Sequence, residues 1–325
     1  MKITVAKSPN SNVKKAVESV KSLLVSDNVL SNKQLIEICA DYHIGFIDSA
    51  DSESHFVHEI LEAAVNLYVC ETESLISFAA NQQQTTLERL EKLTNQLPPQ
   101  SWRGEDQVKL QQFSTPPALA YVLTNLLKPF AGRIALEPSA GTGSLAVWLK
   151  CAGCLVEVNE ISERRKLLLE LQGFKPLKVN AEFLNDLLPA QINPDYILMN
   201  PPFSSSGGRT KTHDSQFGFR HLEAALLRLK PGGKLVALLG ADACLDTEKG
   251  KTFWHRIGTE YDVRAFYIIP RNTFYKYGTT FQTVAVIIHK PETNERPLLS
   301  KPKTVEFSNL SEMLSFNDSF DLIAL

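Results

Sequence analysis

Residues 133–150, "RIALEPSAGTGSLAVWLK", set a short apolar run against a glycine-rich turn and then a helical pattern. That order recurs along the chain. "CLVEVNE" leads into the charged helix "ISERRKLLLELQG". In "HLEAALLRLKPGGKLVALLG", Leu222, Ala225, Leu226 and Leu229 share one helical face, and Pro231, Gly232 and Gly233 stop it before a buried-type strand. "PLKVNAEF", "PDYILMN", "VRAFYIIP" and "TVAVIIHK" are further strand-like runs. Strands alternating with helices predict an α/β fold with a mostly parallel seven-stranded sheet covered by helices on both faces.

A helical region precedes that rhythm. "SNKQLIEICADY" has a serine start signal and apolar Leu35, Ile36 and Cys39. "SHFVHEILEAAVNLYV" places Val57, Ile60, Leu61, Ala64 and Leu67 at helical spacing, and "TTLERLEKLTNQL" continues until "PPQSWRG" breaks it. The chain therefore divides into a helical region, 1–105, for substrate or partner docking, an α/β domain, 106–290, and a tail, 291–325, packing on that domain. A formal net charge of −2 sets up no global basic field, so any nucleic-acid surface must be local. No apolar run reaches membrane-span length, and "MKITVAKSPNSNVKK" lacks the apolar core of a signal peptide. The five cysteines are irregularly spaced, which points to a reduced cytoplasm. Cys151 and Cys154 form a C-x-x-C without a second ligand pair, and His43, His55 and His58 have no convincing carboxylate spacing. No metal site is expected.

Gly141, Gly143 and Ala146 fit the strand–G-x-G-x-x-(G/A)–helix pattern, a tight turn whose backbone approaches a ligand at a helix N-terminus. Glu160 follows at the end of the second strand, where a carboxylate accepts hydrogen bonds from ribose hydroxyls. Glu137, at the end of the first, would repel a pyrophosphate and attract the ammonium and sulfonium of S-adenosylmethionine. Asn200, Pro201, Pro202 and Phe203 end the run "DYILMN". Proline donates no backbone N–H, so this loop offers carbonyl oxygens with few competing donors. A plain proline turn and an acceptor site for an amino group both fit the four letters.

Taken in order, "FSTPPALA", "EPSAGTGSLA", "EVNEIS", "NAEF" and "NPPF" resemble the motifs of S-adenosylmethionine-dependent N6-adenine DNA methyltransferases, including the modification subunits of restriction systems. The resemblance covers roughly residues 106–290 and implies a class I, Rossmann-like methyltransferase domain. The connection "SSSGGRTKTHDSQFGFRHL" is similar to segments of phage and plasmid methyltransferases. The resemblance implies that Phe113, Ser114, Thr115 and Pro116 line the methionine end of the cofactor. Glu137, Ser139, Gly141 and Gly143 would form the cofactor loop, Glu160 would hold the ribose, and Glu182 and Phe183 would bind the adenine. Glutamate stands at 182 where the family more often has aspartate, and core packing is the plain alternative for Phe183.

The same resemblance makes Asn200 and Pro201 the acceptors that hold an exocyclic amino nitrogen while Phe203 stacks on its base. A base inside duplex DNA is out of reach of such a pocket, so the target is flipped or unpaired. In "IPRNTFYKYGTTFQ", Phe274 is the candidate for the opposite stacking face, with Tyr275 and Tyr277 as rivals. Arg209 and Lys211, with Arg220, Arg271 and Lys276, flank the expected opening and suit phosphate contacts. The substrate expected is DNA. RNA base amines, protein glutamine and a non-catalytic cofactor-binding subunit are the alternatives, and a nicotinamide dehydrogenase leaves residues 200–203 without a role. About 35 residues follow the last core strand, too few for a recognition domain. Target choice therefore falls to the helical region, the 204–220 connection or a specificity partner protein.

Overall fold

The computed structural model describes residues 9–26, 28–44, 52–100, 113–202, 217–240, 247–278, 282–293, 295, 297 and 301–321. Among the described residues four helices come first: α1 (Pro9–Leu24), α2 (Asn32–Asp41), α3 (Ser52–Glu71) and α4 (Gln83–Gln96). The α/β part runs α5 (Pro117–Leu127), β1 (Ile134–Glu137), α6 (Ala146–Cys151), β2 (Leu155–Val158), α7 (Glu163–Leu171), α8 (Leu184–Leu187) and β3 (Tyr196–Met199). It continues through α9 (Phe217–Arg228), β4 (Lys234–Gly240), α10 (Glu248–Ile257), β5 (Asp262–Ile268), β6 (Thr283–His289), β7 (Lys303–Glu306) and α11 (Leu310–Asp321).

The local signals act as expected at several boundaries. Ser31 and Gln34 form a reciprocal capping box at the start of α2, satisfying N–H groups that the first turn leaves orphaned. Gly141 and Gly143 both take positive φ, +56° and +91°, a conformation other residues adopt only with strain. A side chain at Gly143 would also strike the Gln172 amide at 2.9 Å, so this glycine allows the turn to pack against α7.

The sheet has the order β2-β1-β3-β4-β6-β5-β7. β6 runs antiparallel to both β4 and β5, and the other pairings are parallel. Seven strands are present among the described residues, but not the seven the sequence suggests. The "PLKVN" run makes a single bridge, Asn159 to Leu177. Pro176 has no N–H to give a ladder, and the Asn159 side chain takes both the N–H and the C=O of Val179, at 2.9 and 3.0 Å. The seventh strand is β7, which joins the edge beside β5 and belongs to the C-terminal tail.

Helices cover both faces of the sheet. On one face, Val17, Leu35, Ile60 and Leu90 of the first four helices share a single core with Leu119, Trp148, Leu198 and Ala285. On the other, Leu222 of α9 and Trp254 of α10 pack with Ile197, Leu235 and Phe266. The expected boundary at residue 105 lies outside the described residues. Apolar packing nevertheless runs continuously from the N-terminal helices into the α/β part.

Candidate functional site

β1 has β2 on one side and β3 on the other, so chain direction across the sheet reverses beside it. Crevices at the carboxyl ends of strands form at such switch points. Here the glycine turn follows β1, Asn159 and Glu160 follow β2, and Asn200 to Pro202 follow β3. Together with the segment ahead of α5 they enclose a cleft of about 260 Å3. Of the residues marked in the sequence, Phe113, Ser114, Thr115, Glu137, Ser139, Gly141, Glu160, Glu182, Asn200, Pro201 and Pro202 line it.

The cleft has a defined electrostatic character. Glu137 is 3% exposed, and its Oε2 has no hydrogen-bond partner among the described residues. Burial drives its carboxyl well above the usual carboxylate range; the Ala146 N–H opposes this, and the nearby Glu160 adds to it. Glu160 accepts from the Gly141 N–H at 2.7 Å and from the Ser162 N–H at 2.8 Å, so it braces the glycine turn while facing the cleft. Glu182 is held by the Arg220 guanidinium at 2.6 Å.

Asn200 is oriented by the segment ahead of α5. Its Nδ2 donates to the Phe113 carbonyl at 2.8 Å and to Thr115 Oγ1 at 3.1 Å. Both amide protons are thereby used, and Oδ1 is left as the amide's acceptor beside the Pro201 backbone.

Other expected residues stand apart from the cleft lining. Pro116 lies outside the cleft lining; it is the cap residue of α5. Gly143 packs toward α7 instead of lining the cleft. Phe183 is neither in the core nor in the cleft lining: it is 56% exposed. Ile161, 60% exposed beside Glu160, and Val179 supply the apolar wall at that end. Phe274 is 3% exposed and part of the hydrophobic core, so its ring is not presented for stacking; the neighbouring Tyr275 is 71% exposed. Lys276 donates to the carbonyls of Asn95 and Leu97, and Arg220 pairs with Glu182, so both cations have structural partners. Phe203, Arg209 and Lys211 lie outside the described residues.

Arg165 and His221, which no sequence motif marks, also line the cleft. Arg165 comes from α7 and pairs with the buried Glu59 of α3 at 2.8 Å. His221 sits on α9, one residue from Arg220. Burial pushes its imidazole down to about 4, so it is neutral at pH 7. A single histidine inside an apolar helical pattern gives no signal that it faces a cleft. Among the described residues there is no group of three or more side chains placed to hold a metal ion, and no helix is long and apolar enough to cross a membrane.

No protein-family model matches the chain, and no curated protein matches it. Solved structures do. A Listeria monocytogenes protein described as a class I S-adenosylmethionine-dependent methyltransferase aligns over 98% of both chains, with 16% identity and a TM-score of 0.52. The methyltransferase subunit of a type I restriction-modification system from Streptococcus thermophilus covers 95% of this chain and 73% of its own, at 16% identity and a TM-score of 0.47. A Pyrococcus horikoshii structure described as an RNA methyltransferase covers 66% of this chain and all of its own, at 18% identity and a TM-score of 0.45. The fold is that of the class I methyltransferases.

Proposed function

We propose that this protein transfers a methyl group from S-adenosylmethionine to the exocyclic amino nitrogen of a DNA base, adenine N6. The observation that carries the reading is the fixed orientation of Asn200. A side-chain amide with both protons engaged by Phe113 and Thr115 offers its oxygen, next to the Pro201 carbonyl, to something that donates hydrogen bonds. Two such acceptors suit an amino group.

The cleft fits the cofactor. The buried Oε2 of Glu137, without a partner among the described residues, suits an ammonium group, and the Glu160 carboxylate at the glycine turn suits ribose hydroxyls. Glu182, steadied by Arg220, would accept from an adenine amino group near the apolar wall of Ile161 and Val179. When bound, S-adenosylmethionine supplies an electrophilic methyl group on a sulfonium.

The chain's own part is to make a poor nucleophile competent. An exocyclic amino lone pair is delocalised into the ring. Asn200 Oδ1 and the Pro201 carbonyl hold the two N–H groups, favour a more tetrahedral nitrogen and stabilise the positive charge that grows on it during attack. The stiff proline pair keeps those acceptors in place, and no strong base is needed beforehand. Phe203 enters this scheme as a stacking face, and Arg209 and Lys211 as phosphate contacts, on the motif resemblance.

Incubation with labelled cofactor and separate DNA, RNA and protein pools tests the assignment, with digestion of the DNA expected to yield N6-methyladenine. N4-methylcytosine would keep the mechanism and change the base. Methylated RNA or glutamine as the sole product would defeat the DNA assignment. Asn200→Ala should lower transfer by roughly 10²–10³-fold with cofactor binding retained, the usual effect of losing one preorganised transition-state hydrogen bond. Full activity in that variant would return residues 200–203 to the status of a proline turn.

A further inference from the structure

Helix α3 carries a second buried stripe beside its apolar one: Glu59, Glu62 and Asn66 all lie in the interior. Each reaches into the α/β part. Glu62 Oε2 accepts from Ser114 Oγ at 2.6 Å and from Thr142 Oγ1 at 2.8 Å, while its Oε1 accepts from Gln100 Nε2 at 2.7 Å. Asn66 Nδ2 donates to the Thr142 carbonyl at 2.9 Å, which also accepts from Gln172 Nε2 at 2.8 Å. Thr142 belongs to the glycine turn, and Ser114 sits between the two residues that hold the Asn200 amide. Both line the cleft.

We propose that Glu62 is a positioning residue for the transfer site: through Ser114 and Thr142 it sets the cofactor turn and the Asn200-holding segment in register with each other. The inference rests on the reading of the cleft as a cofactor and amine site. It assigns to the N-terminal helical region part of the transfer geometry, beyond docking.

Chemistry favours positioning over plain stabilisation. A buried carboxylate is a poor stability device, because its desolvation offsets much of what its hydrogen bonds return, and register is the best-attested use of such groups. Burial indeed raises the Glu62 carboxyl above its ordinary range, against the three hydrogen bonds that favour its charged form. Two of those three donors are cleft walls, 52 and 80 residues away in sequence, and one oxygen receives both. Moving that oxygen moves the two walls relative to one another. Catalytic steps are sensitive to misplacements on the ångström scale.

The test uses the full chain with Glu62→Ala, Glu62→Asp and Glu62→Gln, measuring S-adenosylmethionine Kd, kcat at saturating cofactor, thermal midpoint and hydrogen exchange. Glu62→Ala should weaken cofactor binding and lower kcat, each by about tenfold or more, at temperatures well below its thermal midpoint. Glu62→Gln keeps the length and the oxygen that accepts from both hydroxyls, and its amide faces the Gln100 side chain, which can flip to accept from it, so it should recover most of both. Should Glu62→Ala fail to fold, Glu62→Asp decides, since it keeps the charge but withdraws the carboxylate by one methylene. Folded Glu62→Ala, or Glu62→Asp in its place, with wild-type Kd and kcat would overturn the proposal, whatever its thermal midpoint. Wild-type protein that binds no S-adenosylmethionine would instead overturn the reading of the cleft. Exchange then remains the readout for Glu62: faster uptake at 113–116 and 138–145 than in the sheet supports its role, and unchanged uptake refutes it.

Discussion

Replacing Glu137 by glutamine changes one oxygen for one amide group and little else in shape. The carboxyl is buried, its Oε2 has no partner among the described residues, and burial pushes it toward its neutral form. An ammonium arriving at Oε2 would convert it to a carboxylate and form a charge-assisted hydrogen bond, an interaction worth about 1.5–3 kcal/mol. At about 1.4 kcal/mol per decade, Glu137→Gln should raise the cofactor Kd roughly 10- to 100-fold. The proton ledger gives a second signature. Binding expels the Glu137 proton, so wild-type affinity should strengthen as pH rises from the ordinary carboxylate range toward the raised value of Glu137, and the glutamine variant should lose that dependence. Stability runs the other way. The ligand-free folded protein holds this proton more tightly than the unfolded chain does, so its stability falls as pH rises through the same window, and Glu137→Gln should flatten that fall. Isothermal titration in buffers of different ionisation enthalpy, with thermal melts across pH, reads all three. An unchanged Kd with no proton release in the wild type would refute the assignment of Glu137 to the ligand.

Glu160→Ala removes the acceptor that Gly141 and Ser162 share, and the carboxylate proposed for the ribose. Cofactor binding should weaken by about 1.5–3 kcal/mol, and calorimetry showing unchanged affinity would take Glu160 out of the site. Phe274→Ala empties part of the core and should cost about 3–5 kcal/mol of stability in denaturant melts. Tyr275→Ala, at an exposed position, should stay within about 0.5 kcal/mol of wild type. If Tyr275→Ala rather than Phe274→Ala unfolds the protein, the burial assignment is inverted.

What was legible in the sequence was what is encoded locally. Gly141, Glu137, Glu160 and Asn200 each stand at the end of a strand-like run, where parallel-sheet topology gathers loops into one crevice. β7 escaped notice because "KTVE" is short, charged and largely exposed; only pairing with β5 makes it a strand. Phe274, Tyr275 and Tyr277 were not separable by letter. In the observed 3₁₀ turn, residues three apart share a face, so Phe274 and Tyr277 go inward together while Tyr275 faces out. Glu59, Glu62 and Asn66 repeat at helical spacing, the usual mark of a solvated face. Their partners lie in distant segments, and nothing near them in sequence announces that the face is covered.

The wide spacing of those partners also bears on how the chain is made. Glu59 meets Arg164 and Arg165, 105 and 106 residues downstream. At translation rates of about 5–20 residues per second, Glu59 is made roughly 5–20 s before those arginines. During that interval the Glu59 carboxylate is without the guanidinium pair that it has in the folded protein. α11, which packs on α4 and α5, is made later still, with Ser311 bonded to Gln84. The N-terminal helices are thus made well before the segments that complete their packing.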